Sequence, residues 1–340
     1  KRIAVIGKNC YEWILSLLAV SYIGAVAVPL DKGLSETEIM EQMDRINADT
    51  LIFDKDYSEI AKGNAGRENI CFNADEGFEN IDDLLEKGYK KGILPEMDSD
   101  ADKLALLLFT SGTTSKSKIV MLSQNNIIAN IEDMHECEEF YDTDVNLAIL
   151  PFHHTFGLTG ILLFVSIGAT NVFCEGLRIQ KALIEYKVTV LVGVPLILDN
   201  IWHMIQRTLK KKKLTAVFSA VGFINRLCIK TGIDIRRKLY KSILDQLGGG
   251  LRCVISGAAP LNPETSAFFN SMGILTIQGY GLTETAPVIA AENPANMRLG
   301  SVGKAMPSID IKIENAGEDN IGEIIAKGPN VMLGYYENPE

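Results

Sequence analysis

Nine consecutive small polar or basic residues at positions 110–118 could bind phosphate. The segment, TSGTTSKSK, carries six hydroxyl side chains, the glycine Gly112 and two lysines. Hydroxyls, ammonium groups and backbone N–H groups all donate hydrogen bonds to phosphate oxygens, and glycine lets a ligand approach the backbone. Apolar runs on both sides, at 104–109 and 119–122, predict two buried strands. The sequence therefore predicts a polyphosphate-binding hairpin loop, with a solvated Ser/Thr turn as the alternative.

The spacing of Gly112 and Lys118 also fits the P-loop of NTPases, G-x-x-x-x-G-K-[ST]. However, Ser117 occupies the position of the second glycine, and Ile119 occupies the position of the hydroxyl that binds magnesium. The residues that follow are typical of a strand, whereas a P-loop opens a helix whose N-terminus faces the phosphate. The loop is therefore predicted to bind phosphate in a different way.

A second segment with chemical potential is QGYGLTET at 278–285, which follows a predicted strand. Gly279 and Gly281 allow a sharp turn that exposes Tyr280, Thr283 and Glu284 at the carboxyl edge of a sheet, where α/β proteins bind ligands. An aromatic ring can stack on a purine, a hydroxyl can donate to phosphate and a carboxylate can hold Mg²⁺. An ordinary glycine turn is the alternative.

Together these segments resemble the adenylate-forming superfamily, which includes acyl-CoA synthetases, adenylation domains of peptide synthetases and luciferases. Its phosphate loop reads roughly [ST]-S-G-[ST]-[ST]-G-x-P-K-G, and the departures here are Ser115, Ser117 and Ile119. Its later motif Y-G-x-T-E is similar to residues 280–284. SGAAPL at 256–261 resembles the family's S-G-G-A-P-L turn, and LPFHHTF at 150–156 resembles its L-P-x-x-H-x-F. Residues 300–303 and 322–336 match further family motifs, so the resemblance covers nearly the whole chain.

The resemblance implies a role for each matching residue. Tyr280 would stack on adenine, Thr283 would contact phosphate, and Glu284 would bind Mg²⁺. The expected ATP-binding residues are Thr110, Ser111, Gly112, Thr113, Thr114, Lys118, Gly257, Ala258, Ala259, Gln278, Gly279, Tyr280, Gly281 and Thr283, and the expected catalytic residues are Thr283, Glu284 and His154.

His154 would orient the substrate carboxylate, as the resemblance implies, with a purely structural histidine as the alternative. A metal site formed by His153 and His154 is disfavoured, because neighbours on one strand point to opposite faces. The alkyl chain of an acid is expected to run from His154 past Phe156 and the strand at 190–194.

The elements that must position these residues follow a βαβα order. Strands at 2–7, 25–30 and 51–54 alternate with a helix that Asn9 is expected to cap and a helix at 35–48 with a capping-box spacing. This order predicts a parallel sheet with helices on both faces. The fold class is α/β, with two stacked βα-repeat subdomains of mainly parallel sheets and a small C-terminal β-rich subdomain. The expected limits are 1–145, 146–298 with a helical insert at 199–247, and 299–340; the family's C-terminal lid domain is expected to be absent.

The charge and the cysteine content of the chain limit its possible binding partners and its location. The net charge of −10 and the pI of about 5.1 argue against non-specific nucleic-acid binding. The six cysteines are scattered without a C-x-x-C pair, which favours free thiols in a reducing cytoplasm. The basic residues in the insert at 199–247 are interpreted as solvated helix faces, with peripheral contact to an anionic membrane surface as the alternative. The oligomeric state stays open.

The reaction implied by the resemblance has two steps that use ATP, Mg²⁺ and CoA. A fatty acid is converted to an acyl-adenylate, and the CoA thiol then takes the acyl group, which makes the protein an AMP-forming acid–thiol ligase. Residues 2–31, with N-x-x-E-W at 9–13, resemble the opening of long-chain fatty-acyl-CoA synthetases. The alternatives are a fatty-acyl-AMP ligase that loads a carrier protein and a nucleotide-binding module without turnover.

Overall fold

Strands and helices alternate along most of the chain. The structure is a computed structural model that describes residues 1–64, 66–98, 100–110, 117–174, 178–211 and 234–338. The described strands are β1 (Arg2–Ile6), β2 (Val26–Pro29), β3 (Thr50–Phe53), β4 (Glu68–Cys71), β5 (Glu79–Asn80), β6 (Leu104–Thr110), β7 (Lys118–Ser123), β8 (Val145–Ala148), β9 (Thr170–Phe173), β10 (Val190–Gly193), β11 (Cys253–Ser256), β12 (Leu275–Gly281), β13 (Val288–Ala291), β14 (Lys304–Ala305), β15 (Asp310–Glu314), β16 (Glu323–Lys327) and β17 (Gly334–Tyr335).

The described α-helices are α1 (Tyr11–Tyr22), α2 (Glu36–Arg45), α3 (Ser58–Gly63), α4 (Ile81–Lys91), α5 (Gln124–Cys137), α6 (Thr155–Ser166), α7 (Ile179–Glu185), α8 (Pro195–Lys211), α9 (Arg236–Leu239), α10 (Lys241–Leu244) and α11 (Pro263–Ser271). Short 3₁₀ turns lie at Lys55–Tyr57, Asp245–Leu247 and Thr283–Thr285.

The first sheet has eight strands in the order β17-β7-β6-β2-β1-β3-β4-β5. Strands β1 to β6 of this sheet pair in parallel, while β7 and β17 are antiparallel to their neighbours. The predicted capping box is confirmed, because the side chain of Ser35 accepts from the backbone of Glu38 at the start of α2, and Ser123 caps α5 in the same way.

The second sheet has seven strands in the order β14-β13-β12-β11-β10-β8-β9. Strands β8 to β12 pair in parallel, and β13 and β14 are antiparallel. A separate antiparallel ribbon consists of β15 and β16. The predicted α/β class with two mainly parallel sheets and a small antiparallel sheet is therefore confirmed. The segment after Gly300 contributes β14 and β17 to the two large sheets, and the subdomain limits at 145 and 298 stay predictions.

One hydrophobic core joins the two sheets. It contains Trp13 of α1, Leu106 of β6 and Ile127 of α5 together with Phe152 and Leu158 from the second half of the chain. The rings of Trp13 and Phe152 lie 5.2 Å apart between centroids. Burial of large apolar side chains from both halves in one cluster holds the sheet edges in a fixed relation.

Two local predictions are wrong. Helix α1 has Cys10 at its N-cap position without a side-chain cap, and the Asn9 amide instead donates to the carbonyl of Leu150, at 2.7 Å. Arg236 and Arg237 were expected on solvated faces of the insert, but their guanidinium groups donate to backbone carbonyls, including that of Asn270 for Arg236. In both cases a carbonyl distant in the sequence accepts a hydrogen bond, and Arg236 also pairs with the nearby Asp234 carboxylate at 2.7 Å. Residues 212–233 of the insert lie outside the described part.

Candidate active site

The hairpin between β12 and β13 presents the predicted Tyr280, Thr283 and Glu284. Strand β12 continues past its parallel pairing with β11 and then pairs antiparallel with β13, with a register shift between Tyr280 and Gly281. A Cβ atom on Gly281 would lie 1.7 Å from the carbonyl oxygen of Pro287, so this turn requires glycine. The turn leaves Thr283 and Glu284 half-buried at the carboxyl end of β12.

The turn after β11 lies beside this hairpin. A Cβ atom on Gly257 would lie 3.0 Å from the ring of Phe156, and Ala258 adopts a φ of 67°. That left-handed conformation normally favours glycine, so Ala258 keeps a strained backbone where the resembling motif has glycine. The neighbouring Ser256 is fully buried, and its hydroxyl has no hydrogen-bond partner among the described residues.

Strands β6 and β7 of the first sheet end beside this hairpin. Thr110 pairs with Lys118 at the open end of the hairpin, and Arg45 donates to the carbonyl of Ser117 at 2.7 Å. A strand rather than a helix follows the loop, which agrees with the exclusion of a P-loop. Ser111, Gly112, Thr113 and Thr114 lie outside the described residues.

His154 occupies the N-cap position of α6 and is exposed at the same edge. The turn before it packs closely on the helix, because a Cβ atom on Gly157 would lie 2.2 Å from the carbonyl oxygen of Pro151. The expectation that His153 and His154 point to opposite faces is wrong, since their ring centroids are 4.2 Å apart. The reason is that both residues precede α6 in a turn rather than in a strand. Burial and the neighbouring His154 lower the pKa of His153 to about 4, despite Asp31 Oδ1 at 3.4 Å from its Nε2.

A single pocket of about 760 Å³ follows these strand ends, a size typical of small-molecule sites. Ten predicted site residues line it: Thr110, Lys118, His154, Gly257, Ala258, Gly279, Tyr280, Gly281, Thr283 and Glu284. Ser256 and Phe156 line it as well.

Two predicted residues do not line the pocket. The side chain of Gln278 is buried, accepts from the backbone N–H of Leu261 at 2.6 Å and donates to the carbonyl of Ser301 at 2.8 Å. Ala259 is exposed beyond Ala258 in the turn. Gln278 therefore ties three segments together beneath the site, and a role for either residue in ATP binding stays a prediction.

The pocket also has an apolar lining. Met134 of α5, Phe140, Ile277 of β12, Val288 of β13 and Met306 belong to it. Of the expected path for an alkyl chain, Phe156 and Val194 line the pocket, whereas Val190 and Val192 are buried in the neighbouring core. Helix α5 and the strands β12 and β13 therefore contribute apolar side chains that were not on the expected path.

Two carboxyl groups that sequence reasoning did not single out also line the pocket, Glu138 and Glu292. Burial raises the pKa of both, although Arg252 at 3.6 Å counteracts this effect for Glu138. Glu292 accepts from the backbone N–H groups of Gln278 and Arg298. Burial is therefore the main influence on both carboxyl groups.

Glu284 and Lys118 are joined by a residue from the far end of the described chain. The phenol of Tyr335 donates to Glu284 Oε1 at 2.8 Å, and Lys118 Nζ lies 4.6 Å from the centroid of the Tyr335 ring. Burial and the carboxylate of Glu284 raise the pKa of Tyr335 to about 12. The phenol therefore remains a hydrogen-bond donor at neutral pH.

The donor set fits Mg²⁺ bound together with phosphates. A carboxylate oxygen is a ligand that Mg²⁺ prefers, and this ion usually takes one or two protein carboxylates while phosphates and water complete its shell. Among the described residues no group of three or more His, Cys, Asp or Glu side chains could hold a metal by itself. Glu284 is thus a suitable single protein ligand for a metal–nucleotide complex.

Comparison with known proteins shows the family and the fold of the chain. The sequence pattern of the AMP-binding enzyme family matches residues 1–336. Long-chain-fatty-acid–CoA ligase 5 from Rattus norvegicus is 29% identical over 384 residues, which cover 99% of this chain and 55% of the relative. Fatty acyl-CoA synthetase B from Dictyostelium discoideum is 27% identical, covering 100% of this chain and 56% of its own. The chain thus spans about half the length of these curated relatives.

Solved structures share the fold. ATP-bound MatB from Rhodopseudomonas palustris matches with a TM-score of 0.73 at 24% identity, covering 100% of this chain and 62% of its own. The N-terminal domain of FACL13 from Mycobacterium tuberculosis matches with a TM-score of 0.74 at 18% identity, and the match covers 100% of this chain and 78% of that domain's chain. At this level of identity the likeness concerns the fold.

Proposed function

The chain belongs to the AMP-binding enzyme family, and from this premise we propose that it activates a long-chain fatty acid with ATP for transfer to CoA. The observation that carries the proposal is one pocket lined by both polar and apolar side chains. Lys118, Thr283 and Glu284 with glycine turns supply its polar lining, and α5 contributes to its apolar lining. The curated relatives named as fatty-acid–CoA ligases support the same substrate class.

In the first step a carboxylate oxygen of the acid attacks the α-phosphorus of ATP, and the bond to pyrophosphate breaks. Tyr280 stacks on adenine, while Lys118 and Thr283 donate to phosphate oxygens. His154 orients the acid carboxylate. Glu284 would hold Mg²⁺, which would supply positive charge to screen the phosphates. The catalytic contribution of these residues is positioning and charge stabilisation.

In the second step the CoA sulfur bonds to the acyl carbon, its thiol proton is released, and AMP leaves. This second step is supported by the family resemblance, which implies CoA as the acyl acceptor. A cytoplasmic location with peripheral membrane contact belongs to the proposal too, supported by the five described cysteines being free thiols. Among the described residues, none of the helices is long and apolar enough to cross a bilayer.

The test is acid-dependent pyrophosphate release with a ladder of saturated acids from acetate to palmitate. Each buried methylene contributes about 0.8 kcal/mol, so kcat/KM should rise about four-fold per methylene until the pocket ends. An optimum at acetate, propionate or an aromatic acid would overturn the long-chain assignment. ATP binding without pyrophosphate release would favour the nucleotide-binding module. Accumulation of acyl-adenylate in the presence of CoA would favour a ligase that loads a carrier protein.

A further inference from the structure

The two residues of β17 connect distant parts of the site. β17 pairs antiparallel with β7, the strand that leaves the phosphate loop, with Gly334 opposite Met121 and Tyr335 opposite Val120. The backbone N–H of Leu333 donates to Met121 and that of Tyr336 donates to Ile119, which extends the ladder on both sides. Gly334 adopts a φ of 136°, a conformation that favours glycine.

Because neighbouring strand residues point to opposite faces, Tyr335 and Tyr336 have different surroundings. Tyr335 faces the site and packs against the core that joins the two sheets. Tyr336 packs on the opposite side, where its hydroxyl accepts from Arg2 Nη1 at 2.8 Å and its ring lies 4.9 Å from the Arg2 guanidinium carbon. Each tyrosine thus combines a hydroxyl hydrogen bond with a cation–π contact, Tyr335 with two residues that line the pocket and Tyr336 with Arg2 away from it.

Glu284 is held by this segment in two ways. The backbone N–H of Met332 donates to the Glu284 carbonyl at 2.9 Å, and the Tyr335 phenol donates to its Oε1 at 2.8 Å. Among the described residues, no other hydrogen bond to this carboxylate is present besides that from Tyr335. The phenol thus fixes the orientation of the carboxylate through Oε1, while Oε2 has no hydrogen-bond partner among the described residues.

The Tyr335 ring acts on the second charged group. Lys118 Nζ lies over the ring at 4.6 Å from its centroid, within the range of a cation–π interaction. A long, flexible lysine side chain loses much rotamer freedom when it binds phosphate, and a ring that already supports the ammonium reduces this loss. One side chain therefore contacts both an anionic and a cationic group that line the pocket.

We propose that Tyr335 is a positioning residue. It holds the Glu284 carboxylate and the Lys118 ammonium in positions from which they can bind a metal–nucleotide complex together. The inference rests on the proposed function, because it concerns how the same site binds ATP with Mg²⁺. Tyr335 contacts neither the acid nor the α-phosphate in this assignment. It acts through Glu284 with its hydroxyl and through Lys118 with its ring.

The experiment is isothermal titration of the full chain with ATP, without acid, in the presence and absence of Mg²⁺. The measured quantity is the ratio of the two dissociation constants, which reports the stabilisation that Mg²⁺ adds. Tyr335→Phe removes only the hydroxyl and should reduce this ratio roughly ten-fold to one-hundred-fold, since hydrogen bonds to charged groups are of that strength. Binding without Mg²⁺ should stay as in the wild type. Tyr335→Leu should also weaken binding without Mg²⁺ about three-fold, because Lys118 loses its ring.

Tyr336→Phe is the matched control and should leave both dissociation constants unchanged. In a Glu284→Gln background, Tyr335→Phe should cause no further loss of the Mg²⁺ ratio, because the carboxylate through which it acts is gone. A wild-type ratio in Tyr335→Phe, or an equal loss in Tyr336→Phe, would overturn the inference. If the wild type binds ATP with the same dissociation constant with and without Mg²⁺, the inference is overturned as well, although the proposal of nucleotide binding stands. Absence of ATP binding in the wild type would instead overturn the proposed function.

Discussion

Replacement of Gly281 by alanine should destabilise the hairpin that carries Thr283 and Glu284. The added Cβ would lie 1.7 Å from the Pro287 carbonyl oxygen and 2.7 Å from its carbon, where real contacts stay above 3.0 Å. The turn must therefore open by more than an ångström. This movement would strain the hydrogen bond of 2.9 Å from the Leu282 N–H to the same oxygen.

The expected loss in the free energy of unfolding is about 2–4 kcal/mol, from backbone strain together with a weakened buried hydrogen bond. Gly279 is a matched control two residues away in the same strand. A Cβ atom there would meet its nearest neighbours, Ala290 O and Val288 Cγ1, at 3.7 Å, an ordinary contact. Neither glycine has a positive φ, so alanine is allowed by the backbone at both positions. Gly279→Ala should therefore change stability by less than about 1 kcal/mol.

The assay is equilibrium unfolding in guanidinium chloride, followed by tryptophan fluorescence, for wild type and both variants. ATP titration of the folded variants is the second readout, because an opened turn displaces Glu284. Gly281→Ala should lose affinity for ATP with Mg²⁺ along with stability. If the free energies of unfolding of Gly281→Ala and Gly279→Ala differ by less than about 0.5 kcal/mol, the close approach of the two backbones does not limit residue 281, and the reasoning is refuted.

Three further changes test other parts of the site. Ala258→Gly should raise the free energy of unfolding by about 0.5–1 kcal/mol, measured in the same denaturant assay, because it relieves a φ of 67°; a loss would contradict this. Ser256→Ala should leave stability unchanged or raise it by up to about 1 kcal/mol, yet weaken substrate binding in titrations, since the buried hydroxyl has no partner among the described residues. The unfolded chain should protonate His153 below its ordinary pKa of 6.5, whereas the folded chain does so near 4, so stability falls as pH drops through that window. His153→Gln should flatten this drop in pH-dependent unfolding, and an unchanged slope would count against it.

Much of the fold was predictable because its signals are local. The capping box of Ser35 and Glu38 satisfies backbone groups within one turn, so four residues suffice to place a helix start. Alternating apolar strands and amphipathic helices predict a parallel sheet, since each apolar face must be buried by its neighbour in sequence. The glycines of the motifs also indicated tight turns, as at Gly281, where only glycine fits the turn.

The rest depended on partners far apart in the chain. Gln278 belongs to a recognisable motif, yet its side chain points away from the pocket because Leu261 and Ser301 offer it buried hydrogen bonds. Asn9 has the residue type of a helix cap, but the Leu150 carbonyl is its partner. Neither outcome has a local signature, because a side-chain amide bonds equally well to any backbone group that packing brings near.

Within the site, Tyr335 shows the same difference between what the local sequence determines and what long-range packing determines. The sequence by itself determined that residues 110–118 and 278–285 carry the residue types of a nucleotide site, because glycine, hydroxyl and charged side chains recur there in short local motifs. Only the tertiary structure decided that Tyr335 lies between Lys118 and Glu284, through a two-residue strand at the margin of the first sheet. So short a strand has no periodicity, and its position is set by long-range pairing and packing rather than by the pattern of its own residues.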